Sequence, residues 1–238
     1  MNKKPEQIAR TVKLRTLQTL SMLLGGFGLL LCITWLVFGP FSFVDFTNPI
    51  EALVVDFYVI FLFYIQHHGE KGTVSRVRYS INSGLCCLPL LFLWQKTGIV
   101  WFAALGPFSW FLYLVSFCAI IYCAWAARSM RPRDHFGFRE LKSEMYDLPP
   151  KTYSFKVRGP YQCERHPIYL GALVLIWAVQ VWTPERLLLN VLWTLWIVLS
   201  SRQEEQDMLR ECGAQYRRYR SKVRTRIPFG GYNEKSGC

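Results

Sequence analysis

Long apolar runs, several of them close to the length that crosses a bilayer, limit this chain more than any other feature it contains. They fall at about 17–38, 50–66, 81–103, 107–127, 167–182 and 187–201. An uncharged apolar stretch of roughly 18 residues or more is the mark of a spanning helix. A soluble domain needs a polar surface, and 238 residues that are 52% hydrophobic and 16% aromatic do not supply one easily. The pattern predicts an all-α fold: a polytopic integral-membrane helical bundle of about six membrane segments, with five to six as the range. It also predicts a single domain over residues 1–238, since no stretch is left over for a separate soluble domain.

Charge placement supports the same reading. Of the 28 Lys and Arg, 26 fall in the N-terminal tail, the 67–80 loop, the 128–165 segment and the C-terminal tail, leaving Lys96 and Arg186 for the opposite side. The positive-inside rule then puts both termini and the basic loops in the cytoplasm. Six crossings return the chain to its starting side, so charge and span count agree. The net charge of +12 is mainly a topological signal, with some attraction to anionic headgroups. No basic groove motif accompanies it, and no nucleic-acid partner is expected. The eight cysteines have no metal-ligand spacing, so no metal is expected and most read as small buried hydrophobes in a reducing setting. The basic stretch before the first run reads as part of a retained helix, and Cys238 is not expected to form a prenylation box.

Several local features have competing readings. Gly25-Gly26-Phe27-Gly28 resembles a nucleotide loop, but without a preceding strand it is expected to be a close helix contact. Asp56, inside an apolar run, is expected to face the bundle interior or a polar partner. Gln66-His67-His68 lines either the mouth of a site or simply the membrane interface. Gln95-Lys96-Thr97-Gly98 interrupts the 81–103 run, so a helix stops near Trp94 and Trp101-Phe102 lie in the interface. The 128–158 connection is read as a lid or interfacial helix. The last two runs hold about fifteen residues each, roughly 22 Å of helix against a hydrocarbon core of ~30 Å. Joined by Thr183-Pro184-Glu185-Arg186, they predict a short helical hairpin. From Arg202 an amphipathic helix is expected, with Glu205, Met208, Leu209, Cys212, Tyr216, Tyr219 and Val223 on one stripe and Arg210, Arg217, Arg218 and Arg220 elsewhere. An acid in such a stripe needs a cation against it.

The polar residues cluster at the open end of that hairpin. Gly159-Pro160-Tyr161, Arg165-His166-Pro167-Ile168-Tyr169-Leu170-Gly171, Glu204-Glu205-x-x-x-Leu209, Gly213-x-x-Tyr216-x-x-Tyr219 and Arg226-Ile227-Pro228-Phe229 follow in order over about 153–229. Together they resemble the C-terminal half of the isoprenylcysteine carboxyl methyltransferase-like family, integral-membrane enzymes that use S-adenosyl-L-methionine without a Rossmann fold. Gln66-His67 and Asp134-x-Phe136-Gly137-x-Arg139 look like the methanethiol S-methyltransferase branch of that family. The resemblance implies methylation of a small thiol such as methanethiol to a thioether. The alternatives are isoprenylcysteine carboxyl O-methylation, phospholipid N-methylation and a non-catalytic membrane protein. One departure disfavours the prenylcysteine substrate: where the resemblance implies a substrate-binding arginine one turn before the glutamates, this chain has Ser200.

What the resemblance implies also makes chemical sense. Residues 1–127 would supply membrane helices, and 128–238 a cofactor-binding loop, the hairpin and the amphipathic helix around a cytoplasmic-face pocket. A methyl donor with an ammonium and a carboxylate would meet Glu204 or Glu205 through a charge-assisted hydrogen bond. Tyr161, Arg165, His166, Pro167, Ile168 and Tyr169 would border it, with backbone groups of 153–156; for Arg165, binding the donor's carboxylate and anchoring to lipid headgroups are equally open readings. Attack requires a thiolate, which His67, His135 or Arg139 would favour. Other partners are membrane lipid and a small or lipophilic acceptor, and the implied location is the bacterial inner membrane.

Overall fold

The computed structural model describes residues 4–38, 48–67, 75–129, 146 and 157–227. The chain divides into two compact units, one made of residues 1–98 and 132–152, the other of 99–131 and 153–238. Most of the 128–158 connection, with the expected lid, lies outside the described residues.

In the first unit, α1 (Lys4–Leu20) passes through a π-helical turn at Ser21–Gly26 into α2 (Phe27–Phe38). Helices α3 (Pro49–His67) and α4 (Ser75–Phe92) follow. The glycine run works as a helix contact. A Cβ on Gly28 would come within 3.0 Å of the Gly84 backbone, and one on Gly84 would strike the Leu24 carbonyl. Small residues on both sides let the π turn and α2 lie directly against α4, with Ser80 Oγ donating to the Ser21 carbonyl at 3.3 Å. Asp56 is fully buried, and its Oδ1 accepts the Gln95 backbone N–H at 2.8 Å. The 81–103 run is therefore not one span. Helix α4 ends at Phe92, three residues after an internal proline that cannot donate to the ladder. The chain then turns through Gly98, whose φ is +72°. Trp94 packs edge-on against Trp35, with ring centroids 5.1 Å apart, and both are buried.

The second unit contains α5 (Gly106–Ser129), α6 (Pro167–Trp177) and α7 (Pro184–Lys222). The all-α expectation holds apart from one short strand pair among the described residues. Two-residue strands β1 (Phe102–Ala103) and β2 (Val181–Trp182) pair antiparallel, Phe102 opposite Trp182. The 167–182 run is accordingly shorter as a helix than its hydropathy implied. It leaves helical geometry at Ala178, whose φ and ψ are −81° and 51°, and its end joins the strand pair. The Ala178 carbonyl accepts Ser116 Oγ of α5 at 3.3 Å. Gly171 brings α6 close to α5: a Cβ there would collide with Cys123 Sγ.

The hairpin itself is present. Thr183 caps α7 by accepting the Arg186 N–H at 3.2 Å, with Pro184 in the first turn, where its missing donor costs nothing. The second arm and the amphipathic helix are one continuous helix past residue 202, interrupted only at Gly213, whose φ of 48° and ψ of −117° are non-helical. Its inner stripe buries Met208, Tyr216, Tyr219 and Val223 with Leu209 and Cys212 alongside, as the periodicity predicts. Among the described residues, two helices are long and apolar enough to cross a membrane, Thr11–Phe38 and Gly106–Ser129.

Candidate active site

The turn before α6 is built by local necessity. Gly159 has φ of +55°, and a side chain there would strike Ser129 Oγ at the end of α5. The 3-10 turn Gly159–Gln162 follows, and the Pro160 carbonyl accepts the N–H groups of Cys163 and Glu164, both at 3.0 Å. His166 then occupies the N-cap of α6 and Pro167 its first turn, a position where proline's fixed φ starts a helix. The effect is to present Glu164, Arg165 and His166 consecutively, all three buried.

Arg165 and His166 meet α7 in one ionic cluster. His166 Nε2 lies 3.1 Å from Glu205 Oε1, and its Nδ1 lies 3.6 Å from Glu204 Oε2. Arg165 Nη1 stands 2.8 Å from the same Glu205 oxygen, and Arg220 Nε 3.6 Å from the other. Glu205 is thus the hub of three cationic groups, which resolves the cost of an acid in the apolar stripe. Burial alone would push the His166 pKa down. Hydrogen bonds to Glu204 and Glu205, and their charges, outweigh it and raise the value from 6.5 to about 9. At neutral pH His166 is an imidazolium with both nitrogens donating. Tyr169 stacks on it with centroids 5.8 Å apart, and Trp196 meets Tyr169 edge-on.

Glu164 organises the opposite wall. Its Oε1 accepts the His166 backbone N–H at 3.1 Å and its Oε2 the Arg226 N–H at 2.8 Å, joining positions 62 residues apart. Tyr219 Oη donates to the Tyr161 carbonyl at 2.8 Å. Burial first, then nearby carboxylates, push the Tyr216 and Tyr219 phenols up, so both stay protonated.

The structure brings Arg165, His166, Tyr169, Glu204 and Glu205 together, with Tyr161 joined through its carbonyl. Pro167 and Ile168 contribute the helix start and packing; the Ile168 carbonyl accepts Cys123 Sγ at 3.6 Å. His135, Arg139 and 153–156 lie outside the described residues; His67 ends α3, but its side chain is likewise outside them. Arg220 departs from the sequence reading, which placed it among the outward arginines. Glu164 likewise has a role that is not legible in the sequence. It sat inside the central motif, yet the partner that gives it a role follows the C-terminus of α7. Only the charge of a carboxylate next to Arg-His hinted at it.

Two groups in the cluster fit a zwitterionic ligand. Arg165 Nε is buried with no hydrogen-bond partner among the described residues, a donor whose desolvation a ligand carboxylate would offset. The Glu204 side chain keeps 39% exposure, against 7% for Glu205. A buried cationic donor and a half-exposed carboxylate, joined through His166 and Glu205, suit the carboxylate and ammonium of an amino-acid moiety.

No protein-family model and no solved structure matches the chain. Curated sequences do. It is 25% identical to methanethiol S-methyltransferase 1 of Bradyrhizobium diazoefficiens over 197 residues, 77% of this chain and 69% of that one. It is 27% identical to the methanethiol S-methyltransferase of Mycobacterium tuberculosis over 197 residues, 75% of this chain and 79% of that one. Nurim of Xenopus laevis is 27% identical over 176 residues, 64% of this chain and 61% of Nurim. The resemblance carried by the C-terminal motifs therefore extends along most of the chain.

Proposed function

From the premise that this chain is a relative of the methanethiol S-methyltransferases, we propose that it is an S-adenosyl-L-methionine-dependent integral-membrane methyltransferase acting on a small thiol such as methanethiol. The observation that carries the reading is the ionic cluster of buried Arg165, His166 and Glu205 with half-exposed Glu204 at the open end of a short hairpin. The bound cofactor would supply an electrophilic methyl on a sulfonium.

In this reading the chain's own groups mainly align the reactants, because an in-line displacement is accelerated chiefly by position. Glu204 takes the ammonium and Arg165 the carboxylate of the donor's amino-acid end. Glu205 stays with its three cations and fixes both. His166, held from two sides, fixes the rotamer of Glu204. Tyr161, Pro167, Ile168 and Tyr169 border the nucleoside side. The thiol proton leaves to a base, for which His67 and His135 are candidates, while the Arg139 cation favours the thiolate. Ser200, in place of an anion-binding arginine, supports an uncharged acceptor. The pocket opens on the cytoplasmic face of the inner membrane, with both termini on that side.

The test is donor binding followed by transfer. Calorimetry on purified protein is expected to show binding of S-adenosyl-L-methionine, and absence of binding across several lipid conditions sinks the enzyme class. Labelled-methyl transfer is then compared for methanethiol, a farnesylcysteine analogue and phosphatidylethanolamine. Turnover of methanethiol is expected. Turnover of only the prenyl or lipid acceptor replaces the thiol assignment.

A further inference from the structure

Beyond Gly213 the last helix has two chemically opposite faces. Inward, Tyr216, Tyr219 and Val223 are buried against Met208. Outward, Arg217, Arg218 and Lys222 are exposed, and Arg224 and Arg226 continue the exposed basic run after the helix ends. Six of the ten residues 217–226 are Arg or Lys, and no Asp or Glu occurs in 212–227. Arg220 alone turns inward to Glu205. The remaining five cations lie close together with no carboxylate in their own segment, and like charges so placed repel one another.

The same helix begins very differently. Residues 187–199 carry no charged side chain at all, a composition suited to hydrocarbon. A cationic face attached by one helix to a membrane-seeking segment has bilayer headgroups as its nearest dense array of anions. Arginine is suited to phosphodiesters, because its planar fork makes paired charge-assisted hydrogen bonds. Charge complementarity and covalent attachment thus favour a lipid surface over a soluble polyanion.

We propose that the cationic face of 217–226 docks on anionic phospholipid headgroups, and that this docking holds Tyr219 and Arg220 in the site. The coupling is local. Tyr219 and Arg220 alternate with the docking residues, and Arg226 presents its side chain outward while its N–H is held by Glu164. Lipid bound outside therefore restrains the backbone that closes the site inside. The docking stands without the methyltransferase reading; only its effect on donor affinity rests on that reading.

The experiment uses the full chain in nanodiscs of phosphatidylcholine alone or mixed with phosphatidylglycerol. Amide hydrogen exchange across 214–226 is expected to be slower in the anionic discs. At ~1 M salt, where the screening length falls to about 3 Å, the difference is expected to vanish. Each headgroup-facing cation contributes roughly a fivefold factor, so the triple variant R217Q/R218Q/K222Q is expected to lose most of the contrast. These three are exposed and outside the site, so the variant keeps its fold. Equal exchange in the two kinds of disc overturns the docking. Protection by an oligonucleotide in neutral discs, without protection by phosphatidylglycerol, also overturns it and assigns the face to nucleic acid. Donor affinity is expected to be several-fold tighter in anionic discs. Unchanged affinity alongside changed exchange removes the coupling. Failure to bind donor in any disc counts against the proposed activity and leaves the exchange result to decide the docking.

Discussion

Glu204 and Glu205 are adjacent in sequence, yet their surroundings give them different work. Glu205 is buried and answers Arg165, His166 and Arg220, whereas Glu204 touches the imidazolium and remains partly exposed. Removing a charge from the hub strands three cations, and breaking a buried ionic network costs about 3–5 kcal/mol. Glu205→Gln is therefore expected to lower the thermal midpoint strongly. Glu204→Gln is expected to lower the midpoint less than Glu205→Gln does, by its share of the His166 stabilisation, and to weaken donor binding by tenfold or more, the scale of one lost charge-assisted bond of ~1.5–3 kcal/mol. Equal losses of stability in the two variants would contradict the division. His166 gives a second residue-scale prediction. Its folded pKa of about 9 exceeds the ordinary 6.5. The stabilisation is thus complete below pH 6.5 and disappears as pH rises through 9. That shift corresponds to a contribution on the order of 3 kcal/mol. Unfolding measured from pH 6 to pH 10 is expected to fall more steeply for the wild type than for His166→Gln. Parallel profiles would mean that the histidine is not charged in the folded protein.

At the scale of elements, single residues set where helices stop and how near they pass. The sequence motif contained Gly213, but its meaning is conformational. Open space surrounds the position, and its φ and ψ of 48° and −117° are what demand glycine. Alanine there would cost about 1–3 kcal/mol in strain or continue the helix straight through, carrying Tyr219 and Arg220 off their partners. Gly213→Ala is expected to weaken donor binding while raising or preserving helicity by circular dichroism. Unaltered affinity would show that the break does not position the site. Gly171 is the opposite case, set by space. Gly171→Ala overpacks against Cys123 Sγ and is expected to cost about 1–3 kcal/mol, with partial recovery in the Cys123→Ala double variant. If the two effects simply add, that contact is not the one that matters. Both glycines lay in legible motifs. Neither role was legible, because backbone angle and interhelical distance are fixed by partners far away in sequence.

At the scale of the whole molecule, hydropathy found the helices and misjudged their ends. Period and polarity were enough for α3, for α5 and for the buried stripe Met208–Tyr216–Tyr219–Val223. At 81–103 the polar break Gln95–Gly98 already marks a stop near Trp94, two residues past the observed end at Phe92; hydropathy failed at 167–182, where apolar character outlasts helical geometry and the run's end joins the β1–β2 pairing. The site was legible wherever its residues were neighbours in sequence, as in Arg165-His166 and Glu204-Glu205. It was not legible at Glu164 and Arg220, whose partners come from across a turn or a helix break.

The same revision bears on topology. Helix α6 has 11 residues, roughly 16 Å, too short for a hydrocarbon core of ~30 Å. It need not span on its own, but a hairpin returns the chain to the side it left whether or not its tip reaches the far face. The parity of crossings is thus insensitive to the hairpin, and also to whether α3 and α4 cross as a pair. The two helices long and apolar enough to cross among the described residues, Thr11–Phe38 and Gly106–Ser129, would themselves make an even number. Both termini are therefore expected on one side, and by the positive-inside rule the 26 basic residues of the tails and loops predict that side to be the cytoplasm. Fusions of a cytoplasm-active fluorescent reporter and of a periplasm-active phosphatase to each terminus test this. Fluorescence without phosphatase activity at both ends is expected. Opposite behaviour at the two ends would require an odd number of crossings, and the cluster at Arg165–Tyr169 would then lie on the other membrane face from one terminus.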